Sequence, residues 1–93
     1  MLLVNYTKHK RAKKGLSANQ VSEYLGLSDS TFSKFENGKL TLSKKYIKKL
    51  SEILDAPERD LSIMRLADLI VIKHSKEDEF DSAIKLLSEY YGK

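Results

Sequence analysis

Apolar positions along this 93-residue chain recur at helical spacing, and glycines and small polar residues cut them into short runs. Residues 4–14 predict a first helix with lysines on its outer face, and Gly15 stands where a left-handed stop is wanted. Ser17 is a good N-cap for a second helix over Ala18–Leu25, which Gly26 ends after about two turns. Ser28 predicts another N-cap, with a third helix over Asp29–Glu36 closed by Asn37-Gly38. Residues 39–42 read as a loop. Ser43 is expected to cap a fourth helix to about Leu54, with Tyr46, Ile47, Leu50, Ile53 and Leu54 on one stripe. Pro57 suits the first position of a fifth helix.

Two short helices around a glycine-containing turn make a helix-turn-helix spacing. Val21, Leu25, Leu27, Phe32 and Phe35 are its expected inward positions, and Ser22 is small where the helices approach. Ser30, Thr31, Ser33 and Lys34 remain on the outer side of the third helix. A purely structural helix of that length more often carries Glu/Lys pairs there.

Charge sharpens the picture. Residues 1–50 hold 11 basic and 3 acidic side chains, a balance of +8, whereas residues 51–93 balance at −4. Only the first half is suited to a polyanion. Its basic residues cluster at Lys8–Lys14 and Lys44–Lys49, and the bland alternative for both is a solvated helix face. Cysteine is absent, which excludes disulfides, thiolate catalysis and Cys-ligated metals and fits a reducing cytoplasm. His9 and His74 are too few for a protein-only metal site, and no cofactor is implied. No apolar run reaches the roughly 20 residues that span a bilayer, and Met1–Val4 is too short for a signal-peptide core.

The string from Gly15-Leu16-Ser17 through Val21-Ser22, Leu25-Gly26-Leu27-Ser28, Thr31-Phe32-Ser33-Lys34 and Phe35-Glu36-Asn37-Gly38-Lys39 resembles the repressor/Cro (XRE-type) helix-turn-helix family. The resemblance covers about residues 5–61 and continues through Ile47, Leu50, Leu54 and Leu61. It implies an all-α fold, a five-helix DNA-binding domain over 1–61 with a C-terminal helical extension over 62–93. The chain departs from the family pattern at Ala18 (usually glutamine), Leu42 (usually proline) and Lys10 (usually aliphatic).

In such proteins the third helix enters the major groove. The resemblance therefore implies Asp29, Ser30, Thr31, Ser33 and Lys34 as base readers. Lys34 can donate to guanine, Ser30 and Thr31 can donate or accept, and Asp29 can accept from cytosine. Asp29 has a structural alternative, complementing the dipole at the helix start, and Ser33 has one as a solvated serine. Asn19, Asn37, Lys39, Thr41, Ser43 and Lys44 are implied as phosphate contacts. Arg11 and Glu36 match positions of a structural ion pair between the first and third helices.

Beyond residue 61, Ser62–Lys73 is unusually apolar and is expected to be buried on more than one side. Ser75-Lys76-Glu77-Asp78 resembles a capping box, opening a last helix to about Tyr91 with Phe80, Ile84, Leu87 and Tyr91 on one stripe. These two helices either complete the monomer core or form a homodimer interface.

The leading expectation is a sequence-specific, cytoplasmic transcriptional regulator, a small dimeric repressor that binds double-stranded DNA. The competing one is a protein-interaction module, such as an antitoxin or scaffold, using the acidic C-terminal helices. No nucleophile–base constellation, phosphate-binding glycine loop or metal spacing suggests an enzyme.

Overall fold

The computed structural model describes residues 1–92. Lys93, the last residue of the predicted extension, lies outside them. Six α-helices are present: α1 (Leu2–Lys13), α2 (Ala18–Leu25), α3 (Asp29–Glu36), α4 (Ile47–Leu54), α5 (Glu58–His74) and α6 (Phe80–Tyr91). A single 3-10 turn, Lys44–Tyr46, leads into α4, and no strand occurs among the described residues.

The core lies between α1 and α4 and the first turn of α5. Phe32 and Phe35 are buried in it with ring centroids 5.8 Å apart, in one cluster with Leu3, Val21, Leu25, Leu50 and Leu54. Leu61 closes it from α5 and Leu42 closes it from the loop after α3. Tyr6 packs at the margin and Lys10, one turn further along α1, is half-buried, so α1 lacks the usual aliphatic side chain there without exposing the core.

Four local expectations change. Helix α1 begins at Leu2, two residues early, because both oxygens of Asp68 accept its first free amides: Leu2 N–H donates at 2.8 Å and Leu3 N–H at 3.0 Å. Ser43 makes no side-chain cap bond, and the first turn after it is 3-10. Pro57 is the N-cap of α5, one position outside the helix, with ψ 125°. The Ser75 capping box does not form. Ser75 instead ends α5, donating its amide to the Val71 carbonyl at 3.0 Å, and α6 begins only at Phe80 after a tight turn.

The largest difference concerns the apolar C-terminal helices. Within α5 only Leu61 and Asp68 are buried. Ile63, Leu66, Ile70, Val71 and Ile72 are 40–57% exposed. In α6 no residue is buried, and Ile84, Leu86, Leu87, Tyr90 and Tyr91 are 42–75% exposed. The expected burial on more than one side is therefore absent from the single chain. Helix α5 also runs unbroken through position 61, so residues 62–74 continue the helix that Leu61 anchors by its first turn.

Candidate nucleic-acid interface

The α2–turn–α3 unit is set by short-range bonds. Ser17 and Gln20 form a reciprocal capping box: the Gln20 amide donates to Ser17 Oγ at 3.1 Å and the Ser17 amide donates to Gln20 Oε1 at 2.7 Å. Gly26 ends α2 at φ +77°, a left-handed conformation that costs glycine no Cβ clash. Ser28 caps α3 by accepting from the Thr31 amide at 3.2 Å.

One acidic side chain joins the two helices. Asp29 accepts from Asn19 Nδ2 at 3.0 and 3.1 Å and from the Ser22 hydroxyl at 2.7 Å. The Ser22 bond first, and the Asn19 bonds second, hold its carboxyl below the usual carboxylate value. Ser22 is fully buried where α2 meets α3.

The remaining positions of α3 divide by exposure. Ser30, Ser33 and Lys34 are exposed, while Thr31 is half-buried and its hydroxyl accepts from Ser28 Oγ at 2.9 Å. Asn37 Nδ2 donates to Ser33 Oγ at 3.3 Å. An open cavity of about 380 Å³ brings Lys8, Asn19, Asp29, Ser33 and Asn37 together between the start of α2 and α3. Lys39, Ser43 and Lys44 are exposed along the following segment and Thr41 is half-buried. Among the described residues, Lys34, Lys39 and Lys44 have no carboxylate partner.

Behind this surface, Arg11 Nε donates to Glu36 Oε2 at 3.0 Å, its second nitrogen lies 3.3 Å from Oε1, and its third donates to the Leu16 carbonyl at 3.0 Å. The two side chains are 22% and 10% exposed. This two-pronged pair ties α1 to the end of α3. The segment after α3 is held from the far side. Leu42 is buried, and Arg65 Nε of α5 donates to its carbonyl oxygen at 2.8 Å. A family model described as helix-turn-helix matches residues 8–61.

The chain belongs to the repressor/Cro (XRE-type) helix-turn-helix DNA-binding family. At the level of the family this is a DNA-binding transcriptional regulator. No curated protein and no solved structure gave a significant match. Three structural roles that support this domain were not anticipated from the sequence, those of Gln20, Arg65 and Asp68. Gln20 was legible, since Ser17-x-x-Gln20 is a capping-box spacing. Arg65 and Asp68 were not, because each bonds to backbone 23 or more residues away.

Proposed function

We propose that this helix-turn-helix protein is a sequence-specific repressor acting as a homodimer, with residues 1–61 binding DNA and residues 62–93 assembling the dimer. The observation that carries the reading is the outer side of α3. Ser30, Ser33 and Lys34 stand exposed there, followed by Lys39 and Lys44, which have no carboxylate partner among the described residues. Lys34 reads guanine through O6 or N7, and Ser30 and Ser33 donate or accept at neighbouring base edges. Thr31 contributes through its methyl group and its hydroxyl hydrogen, since the bond from Ser28 uses only a lone pair of its oxygen. Asp29 acts chiefly by orienting α3, and Asn19 shares that task while facing the strand at the start of α2. Asn37, Lys39, Thr41, Ser43 and Lys44 grip phosphates. Such contacts fix register and make affinity fall steeply with salt.

The dimer reading is supported by the exposed apolar residues of α5 and α6, since two half-sites supply the specificity that one small reader lacks. The same exposed surface favours a second reading, a protein-interaction module whose partner covers α6. The family and the absence of cysteine support a cytoplasmic location. Among the described residues no helix is long and apolar enough to cross a membrane.

Selection of bound fragments from a random duplex pool at moderate salt tests the proposal. A pseudo-palindrome with half-sites about one helical turn apart is the expected result. Recovery without any motif, with binding lost as salt rises, overturns sequence specificity and favours the interaction module.

A further inference from the structure

Arg65 is held by one nitrogen and left open at the other two. Its Nε donates to the Leu42 carbonyl at 2.8 Å, which fixes the guanidinium beside the segment that follows α3. Both terminal nitrogens reach the surface without an acceptor among the described residues. Arg11, the other arginine that ties elements together, has all its nitrogens bonded, to Glu36 and to the Leu16 carbonyl. Arg65 lines a surface groove of about 320 Å³ together with Lys44, Arg59, Ser62, Ile63 and Leu66. No carboxylate lines this groove, and its three cations have no carboxylate partner among the described residues. Ile63 and Leu66 are more than half exposed. The groove thus joins a fixed fork of donors, two further cations and a hydroxyl to an apolar wall.

We infer that this groove binds a small organic anion, a carboxylate or phosphate head on a short apolar body, and that its occupation weakens DNA binding. A guanidinium fork matches two oxygens of either head. The bond to Leu42 has already restricted the arginine, so the ligand meets a preset pair of donors. Lys44 and Arg59 add charge, and the apolar body lies on Ile63 and Leu66. The volume is at the low end of small-molecule sites and fits a short chain. Lys44 belongs both to the groove and to the segment proposed to grip phosphates. A head group that holds Lys44 therefore competes with the DNA strand. That coupling rests on the phosphate role of Lys44 proposed above. The other exposed apolar residues, Ile70, Val71 and Ile72 of α5 and those of α6, stay available to a partner chain.

NMR titration of the full chain with octanoate and with octyl phosphate tests this, with acetate and octanol supplying head and body alone. Saturable shifts are expected at the Arg65 Nε–H and at the Ile63 and Leu66 methyl groups, with a Kd below about 1 mM for at least one of the two anions. Acetate and octanol are expected to bind at least about tenfold more weakly. Arg65→Lys keeps the charge and loses the fork, and is expected to weaken binding at least about tenfold; the exposed Arg59→Gln is expected to weaken it about threefold. Binding to a mixed-sequence duplex is measured alongside, against equal acetate. The saturating anion is expected to lower the salt slope of wild type by about 1 and to leave that of Lys44→Ala unchanged. Three results overturn the site: no saturable shift by about 10 mM, octanol binding as tightly as the anions, or shifts confined to α6, where apolar adsorption would put them. An anion that binds in the groove and leaves the wild-type salt slope unchanged overturns the antagonism. If the duplex itself shifts the Arg65 and Ile63 signals and Arg59→Gln lowers its salt slope by about 1, the occupant is DNA and the effector reading fails. A chain that binds the anion but no duplex rejects the regulator reading alone.

Discussion

Asn19 donates its side-chain amide to both carboxylate oxygens of Asp29, at 3.0 and 3.1 Å, and so fastens the first turn of α2 to the first turn of α3. Two residues that the family resemblance implies as separate DNA contacts are partners of one another. The bond, with the one from Ser22, fixes the angle at which α3 is presented. Asp29→Ala is expected to lower the thermal midpoint and weaken binding to all sequences about equally. A direct base reader would instead lose preference at one position. Affinities for the selected site and its single-base variants, measured side by side, distinguish the two.

The same clasp sets an acid limit. Asp29 has its carboxyl held below the usual value in the folded chain, so the unfolded chain binds its proton first. The stabilisation is fully present above the ordinary carboxylate value of about 3.9 and is lost as pH falls through the lowered one. Wild type is expected to lose stability below about pH 4 more steeply than Asp29→Asn. Thermal melts from pH 2.5 to 6 check the sign; parallel curves would remove Asp29 from the account.

Arg11 and Glu36 are 22% and 10% exposed, which places their pair between surface and buried extremes. Removing one partner leaves the other charge poorly hydrated. Glu36→Gln is expected to cost about 2–3 kcal/mol, above the surface range and below the fully buried one. Urea denaturation measures this, and a loss under about 0.5 kcal/mol would reduce the pair to surface decoration.

Asp68 caps α1 from across the fold, and its two bonds to Leu2 and Leu3 are charge-assisted and sheltered. Asp68→Ala is expected to cost about 1–2 kcal/mol and to fray the first turn of α1. Hydrogen exchange at the amides of Leu2 and Leu3 reports the fraying directly, and unchanged protection there would contradict it.

Arg65 holds the carbonyl of Leu42 at 2.8 Å, in the segment proposed to grip phosphates. Arg65→Gln is expected to loosen residues 39–44 and weaken binding across sequences. Lys44→Ala is expected to reduce the salt slope by about 1, whereas Lys34→Ala relaxes base preference at one position. Titrations of the three variants at several salt concentrations, on matched and mismatched sites, separate these roles. Identical profiles for all three would defeat the division into readers and grips.

What the sequence by itself determined is local. Ser17 and Ser28 cap α2 and α3, Gly26 takes the left-handed stop, and the spacing of Val21, Leu25, Phe32 and Phe35 turns both helices inward. These devices act over three or four residues, so their partners are written beside them in the chain. The matched family segment adds Arg11 and Glu36, whose pairing no local rule supplies. Tertiary structure decided the rest. It bonded Asp68 to Leu2 across 66 positions and Arg65 to Leu42 across 23, and nothing near either residue announces the contact. It also placed Ile63, Leu66, Ile70, Val71 and Ile72 of α5 and the apolar residues of α6 outside the core. Hydrophobic spacing says that a face seeks burial, but only the packed chain shows whether its own core has room for it. Leu61 and Asp68 use the one side of α5 that the core accepts, and the opposite stripe is left facing outward.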